Sequence, residues 1–406
     1  MSGPSITPYY DFARVKVTDQ NVHRKGSLIH LEPDLRFRPL CHECGTVAGA
    51  VHSHGHRRLV RDLDMAGKQV WLQVGYRKVW CPTCGKARVE ELDFCDASKR
   101  LTRRMARYVY DLCKVMTVSD VAKHLDLDPK TVKAIDKSFL EAEHGQTDLK
   151  DLCILAIDEI AVKKGYYYMT VVLDYVTGRV VWMEEGHDKE TLDRFFAHMS
   201  PQQKAAIKAV TVDMWDPYIN RIRHHCPQAK IVFDLFHVVK GFGFVIDEIR
   251  RSEYKKADRG QRDILKGSRY LLLSNWYNLD RKGRTKLQEV LDLNQTLSAV
   301  YVLKDQLKAI YMFRRRSTAK KALDRWCEMA AEIDHPQMAA FIRTLRAHEE
   351  GILNHCDFHI GTSVLEGVNN KIKVIKRKAY GFHDDEYFAL KVKQAFPGKT
   401  TFNLIG

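Results

Sequence analysis

Four acids in this chain stand where a carboxylate could work on a phosphate ester. Asp158 follows the apolar run Ile154-Leu155-Ala156-Ile157, Asp213 follows Val210-Thr211-Val212, and Asp234 follows Ile231-Val232-Phe233. An acid at the end of a buried strand projects a charged ligand from a rigid apolar base, as a preorganised metal site requires. Two strand acids and one from a helix can hold a pair of Mg²⁺ ions about 3.5–4 Å apart, with Mn²⁺ as a substitute. One ion then activates the attacking oxygen and the other stabilises the leaving oxygen. Glu366, in Ser363-Val364-Leu365-Glu366, is the helical candidate. Plainer readings stand beside these. Strand-terminal aspartates commonly cap turns, and Ser-x-x-Glu is also the capping-box pattern, in which Glu366 would bond back to the Ser363 backbone N–H. Against that reading, Glu366, Asn369, Asn370 and Lys373 recur on one helix face, with Lys376 and Arg377 just beyond. An acid, amides and cations together suit a phosphate-handling surface.

A second chemistry is carried by cysteine. Cys41-His42-Glu43-Cys44-Gly45 and Cys81-Pro82-Thr83-Cys84-Gly85 are matched Cys-x-x-Cys-Gly turns. Each presents two thiolates to one ion, and the glycine permits the positive φ that such turns need. Two pairs close a tetrahedral structural Zn²⁺ site, which would supply folding energy to a segment with little core of its own. His52, His54 and His56 lie between the pairs and are alternative ligands, although surface histidines describe them equally well. The remaining cysteines are scattered singly and read as small buried hydrophobes.

These residues need elements to position them. Residues 27–31 and 69–74 read as strands, and a helical stretch spans about 101–143. Within it, residues 117–133 read as two helices about a sharp turn. Ser119 is the expected cap of the first helix, and Asp128 caps the second with Pro129 at its first position. Val121, Ala122, Leu125, Val132 and Ile135 would face inward, leaving Lys130, Thr131 and Lys133 to a major groove; a plain helical hairpin is the alternative. After a polar linker at 144–150 the order is strand (152–158), strand (166–174), strand (179–184), helix, strand (209–213), helix, strand (230–234). That order is α/β or α+β. From about 244 to 350 the chain is helical and basic, including Arg314-Arg315-Arg316, and a last helix covers about 363–378.

The formal net charge is +15 over 406 residues, and 45% of residues are hydrophobic. A folded chain of this length forms two or three domains, and positive charge on this scale favours a polyanion, above all nucleic acid. No apolar run reaches the ~18 residues of a membrane span, and the first residues lack the apolar core of a secretory signal. The expected location is the cytoplasm, with no membrane partner.

Taken together, these residues resemble the DDE transposases of bacterial insertion sequences, in particular the ISL-three family. The specific pieces are Ala156-Ile157-Asp158-Glu159, Val210-Thr211-Val212-Asp213-Met214 and the run from Ser363 to Lys373. The resemblance implies Asp158, Asp213 and Glu366 as the catalytic, Mg²⁺-binding triad, with Asp234 and His237 as a supporting Asp-x-x-His element. It implies a multidomain α/β layout: an N-terminal segment (1–40), a four-cysteine zinc ribbon (41–96) and a helix-turn-helix domain (97–145). An RNase H-like core (150–243 and 351–395) follows, interrupted by an all-helical insertion (244–350), with a tail at 396–406. The expected partners are double-stranded DNA, both terminal inverted repeats and target, and further copies of the chain in a homodimer or larger synaptic complex. Lys130, Thr131, Lys133, Arg314, Arg315, Arg316, Asn370, Lys373, Lys376 and Arg377 are the expected DNA contacts. Three other readings remain open at this point: a DNA-binding regulator that no longer cuts, a nuclease that cuts without joining, and a zinc-ribbon transcription factor.

Overall fold

The computed structural model describes residues 7–23, 26–163, 167–358, 360 and 362–398, without the side chains of Thr7, Pro8, Lys163, Thr362 and Ser363. Two units divide the chain, Met1–Ala142 and Glu143–Gly406.

In the first unit, strands β1 (Val15–Val22), β2 (Gly26–Pro33), β3 (Ala50–Met65), β4 (Lys68–Cys81) and β5 (Lys86–Val89) precede helices α1 (Arg103–Cys113), α2 (Val118–Leu125) and α3 (Pro129–His144). The sheet order is β1-β2-β4-β3, with β5 also on β4. Its frame is the long β3–β4 hairpin, closed by Met65 opposite Lys68. The two turn residues, Ala66 and Gly67, have φ of 51° and 73°. Positive φ at both positions gives the turn whose twist matches a right-handed strand pair. One face of the sheet buries Ile29, Leu31, Val60, Val70, Leu72 and Val74 against Leu92 and Phe94. A separate core of Met105, Val109, Val121, Ala122, Leu125 and Val132 joins the three helices.

Asp62 connects strand to helix. It is fully buried, and it accepts hydrogen bonds from Thr102 Oγ1 at 2.7 Å, from Arg104 Nε at 2.8 Å and from Arg104 Nη2. A buried carboxylate is tolerable when it is paired and bonded in this way. In the helical pair, Thr117 rather than Ser119 caps α2, its hydroxyl accepting from Asp120 N–H at 3.1 Å. The helix starts two residues earlier than the pattern suggested, and either hydroxyl would satisfy the sequence signature. Asp128 Oδ1 caps α3, accepting from Lys130 N–H at 2.9 Å and Thr131 N–H at 3.1 Å.

The second unit begins with β6 (Ile154–Lys163), β7 (Tyr167–Asp174), β8 (Arg179–Glu185), α4 (Lys189–Ala197), α5 (Pro201–Ala206), β9 (Ala209–Val212), α6 (Asp216–His225), β10 (Lys230–Phe233) and α7 (Leu235–Lys256). Helices α8 (Arg259–Leu265), α9 (Arg269–Leu273), α10 (Arg281–Leu293), α11 (Gln295–Ile310), α12 (Arg316–Ala331), α13 (Pro336–Ala347), α14 (Glu349–Leu353) and α15 (His355–Phe358) follow. The described chain closes with α16 (Thr362–Lys378) and α17 (Asp385–Ala395), a helix beyond the one expected to be last. Its pattern is almost wholly inward: Tyr387, Phe388, Ala389, Leu390 and Val392 are all buried.

The sheet runs β10-β9-β6-β7-β8. β6, β7 and β8 form an antiparallel meander, whereas β9 and β10 run parallel to β6. Ile157, Val172, Val210 and Phe233 face a large core shared with α4, α6 and the helices after β10. Ala156, Val171, Leu173 and Val180 face a second core capped by Leu365, Val368 and Ile372 of α16 and by Phe388 and Val392 of α17. Alternation along the strands sends successive residues to opposite cores. In α14, Gly351 lets the helix press on β10, since a Cβ there would overlap the Phe233 ring. No helix among the described residues is long and apolar enough to cross a membrane.

Candidate functional site

The sheet topology opens the cleft. β6 pairs with β7 along its whole length, from Leu155 opposite Asp174 to Lys163 opposite Tyr167. Its parallel partner β9 lies beside only Ile154, Leu155 and Ala156. Asp158 emerges just past the last of those pairs. The expectation that Asp158 ends its strand is therefore corrected: it lies mid-strand, because the hairpin with β7 carries β6 onward. Asp213 and Asp234 are the first residues after β9 and β10. A crevice outside the carboxyl ends of parallel strands is the usual ligand position in open α/β sheets.

Ligand atoms of Asp158, Asp213 and His237 lie within 4.8 Å of one another. His237 Nδ1 is 2.6 Å from Asp213 Oδ2. Asn369 Nδ2, on α16, donates to Asp158 Oδ2, while Asp158 Oδ1 accepts the Glu159 N–H at 2.7 Å. Asp234 caps α7, accepting the Phe236 N–H at 2.7 Å, and so fixes the first turn of the helix that carries His237.

The charges in this arrangement show what it can bind. Burial first, and then the neighbouring Asp213, hold the Asp158 carboxyl above its ordinary range despite the Asn369 hydrogen bond. Burial also raises Asp234, offset in part by its bond from the Phe236 N–H. Glu159 is pushed up to about 7 by burial and by Asp213, against a hydrogen bond from Tyr218. At His237 burial favours the neutral ring, but the bond to Asp213 outweighs it and the pKa rises. Crowded carboxylates with these penalties suit a divalent cation, and hard carboxylate oxygens suit Mg²⁺ or Mn²⁺.

Of the expected third acid, the structure gives a different position. Glu366 is exposed on α16, outside the cluster formed by Asp158, Asp213 and His237. Leu365, Val368 and Ile372 take the inward stripe, and Asn369, one turn after Glu366, is the residue that reaches Asp158. The capping-box reading rests on the Ser363 side chain, which lies outside the described residues; the helix itself begins at Thr362. Glu159 and Tyr218 were not singled out from sequence. The Tyr218 hydroxyl is 2.8 Å from Thr170 Oγ1, a contact across elements that no local spacing encodes.

In the first unit the two cysteine knuckles meet. Cys41 Sγ is 3.9 Å from Cys84 Sγ, Cys44 Sγ is 3.4 Å from Cys81 Sγ, and all four sulfurs lie within 4.8 Å. Four thiolates about one Zn²⁺ at 2.3 Å would stand about 3.8 Å apart, so the set fits. Gly45 and Gly85 have φ of 67° and 65°, each donating its N–H to the first cysteine carbonyl, at 2.9 and 3.0 Å. No histidine between the knuckles joins the sulfurs: His52 and His54 are exposed, and His56 stacks on Tyr76. Arg77 is committed to a buried pair with Glu90 at 2.6 Å.

The expected nucleic-acid contacts divide by exposure. Lys130, Asn370, Lys373 and Arg377 are exposed; Thr131, Lys133 and Lys376 are half-buried. Arg314 and Arg315 are exposed, with no ion pair among the described residues. Arg316 instead turns back to Asn354 at 2.8 Å and Asp357 at 3.6 Å.

Comparison with known proteins agrees along the chain. Residues 38–88 match the zinc-finger of transposase IS204/IS1001/IS1096/IS1165, and residues 90–140 match the helix-turn-helix domain of transposase family ISL3. Residues 155–392 match that family's DDE transposase model. The chain is 41% identical over 373 residues, 91% of each protein, to the transposase for insertion sequence element IS1001 of Bordetella parapertussis. It is 27% identical over 372 residues, 85% of this chain and 83% of the relative, to the transposase for insertion sequence element IS1557 of Mycobacterium tuberculosis. The four-cysteine knuckle, the capped helical pair and the carboxylate cleft thus belong to one known design, and the chain is a member of the ISL3 family of insertion-sequence transposases, zinc-containing DDE enzymes that act on DNA with divalent metal ions.

Proposed function

We propose that Asp158, Asp213 and Glu366 are the catalytic acids of this transposase, and that the β6–β10 sheet with α16 and α17 is an RNase H-like core interrupted by the helices between. The observation that carries this reading is the convergence of Asp158, Asp213 and His237 at the open end of the parallel strands, with α16 tied to Asp158 through Asn369. Asp158 and Asp213 would hold the metal ions. Asn369 orients the first carboxylate and His237 the second, and Asp234 sets the helix on which His237 rides. Glu366, exposed one turn before Asn369 on the same helix and outside this cluster, is the third acid that would join the ligand set once metal and DNA are bound. The bound ions supply Lewis acidity and an activated nucleophile at neutral pH.

In the reaction, water adds to the scissile phosphorus at each element end. The P–O3′ bond breaks, and the leaving 3′ oxygen takes up a proton. That 3′-hydroxyl then attacks a phosphorus of target DNA in line, displacing another 3′ oxygen and joining the strands. Little covalent work falls to the protein, so positioning and charge neutralisation carry the rate. Lys130, Thr131 and Lys133 read the terminal inverted repeats from α3. Arg314, Arg315, Asn370, Lys373, Lys376 and Arg377 hold backbone phosphates, and Arg316 fixes the loop bearing its two neighbours. Two ends must be joined together, which calls for a homodimer or larger synaptic complex.

The test is strand cleavage and transfer on DNA carrying the element's terminal repeats, with Mg²⁺, for wild type and Glu366→Gln. Joining by the wild type that disappears in the variant supports the triad. Equal joining by both removes Glu366 from it.

A further inference from the structure

Beside the carboxylates lies a cleft of about 620 Å³, within the size range of ligand pockets. Asp158, Glu159 and Asp213 line it together with several aromatic side chains. Trp215, two residues after Asp213, is 37% exposed and rests on Tyr218 with ring centroids 4.6 Å apart. Tyr168 and His187 also line it, stacked at 5.0 Å with their planes 27° apart. From α7, Lys240 and Phe244 join His237 in the lining, and Phe244 is 62% exposed. Lys240 is exposed and has no ion pair among the described residues.

Large aromatic rings left open to water forgo the burial that normally stabilises them. Around a polar centre they call for an occupant with a flat π face and negative charge. Bases within a duplex do not offer that face, because it is covered by the stack; only their edges reach the grooves. A nucleotide taken out of the stack offers both, a ring for Trp215 or Phe244 and a phosphate for Lys240. Such extrusion loses duplex stacking and regains stacking on side chains.

We propose that this cleft receives one unstacked nucleotide adjoining the scissile phosphate, and that Trp215 and Phe244 are positioning residues that hold it while Lys240 holds its phosphate. The proposal rests on the reading of Asp158 and Asp213 as the cutting centre. Extruding the neighbouring nucleotide frees the scissile linkage from the regular duplex and lets it descend to the carboxylates.

The test uses the full chain and duplex DNA carrying the terminal repeats, with 2-aminopurine placed at successive positions across the cleavage junction and Ca²⁺ in place of Mg²⁺. One position beside the junction should brighten on binding. Phe244→Ala and Trp215→Ala should lose that rise and cleave paired ends about tenfold more slowly in Mg²⁺, in line with the loss of one base–aromatic stack. Phe244→Tyr and Trp215→Phe, which keep a ring, should retain it. An unpaired nucleotide built in at the bright position should restore cleavage by the alanine variants. No bright position in the wild type, or full brightness in both alanine variants, overturns the proposal. A bright position in a protein whose Asp158→Asn variant still cuts overturns the acid assignment and leaves the cleft standing.

Discussion

The two clusters of potential metal ligands in this chain are assembled by opposite means. At the knuckles, two tight turns each deliver two sulfurs, and one hairpin brings the turns together, so four ligands need only the segments 41–44 and 81–84. In the cleft, Asp158, Asp213, His237 and Asn369 come from a strand, a strand end and two helices more than two hundred residues apart at the extremes. The first site is a folding device that the chain closes around an ion. The second is a set of strained charges held open by a finished fold. A metal ion should therefore be worth stability at one site and activity at the other.

That contrast can be broken in several ways. The largest effect is expected for Asp158→Asn or Asp213→Asn. Cleavage should fall by about a thousandfold or more, on the scale of losing a preorganised charge-stabilising group. Because burial and the neighbouring Asp213 penalise the Asp158 charge, the melting temperature of Asp158→Asn without Mg²⁺ should hold or rise. A melt that falls by many degrees would mean that Asp158 is structural. The knuckles should behave in reverse. Cys44→Ser or Cys84→Ser, or a strong chelator, should unfold the ribbon, with a loss of several kcal/mol on the scale of structural zinc binding. Circular dichroism and end binding report it. A ribbon that stays folded and binds DNA without zinc would erase the distinction.

Smaller effects sharpen it. His237→Ala removes the partner of Asp213 and should raise the Mg²⁺ concentration needed for half-maximal cleavage by about 10–100-fold, the usual range for a supporting residue behind a metal ligand. Metal titration of the rate checks this, and an unchanged midpoint would confine His237 to another task. Gly351→Ala should cost about 1–3 kcal/mol by overpacking against Phe233, read in urea unfolding. Arg315→Ala should only weaken DNA binding evenly across sequences and lower the salt slope by about one. A change in sequence preference would contradict a phosphate contact.

Legibility in sequence follows the same divide. Cysteine turns, helix caps at Asp128 and Pro129, and the strands around 27–31 and 69–74 are local, and their patterns lie along the chain. β3 was not legible: its first half alternates only between exposed and half-buried positions, and its histidines and arginines hide the strand. The acids of the cleft were visible as strand-terminal residues, but the true reason for Asp158's position is where β9 stops pairing. Sequence does not state where a neighbour ends. Asn369 shared a helix face with Glu366 in the pattern, yet only packing of Leu365, Val368 and Ile372 decides which of the two meets Asp158. The aromatic lining was invisible for the same reason, since Tyr168, His187, Trp215 and Phe244 share no spacing.

The buried Asp62 has a consequence for how such elements diversify. Its donors lie on Thr102 and Arg104, so the strand pair that ends in the zinc knuckles and the helices that read DNA share one carboxylate. A crossover between relatives falling anywhere from 62 to 104 would bring together halves that had not been selected as a match, and would risk stranding that charge. The ribbon hairpin and the helical domain after it are thereby coupled through one buried charge, so exchanging either without its partner residues should cost stability.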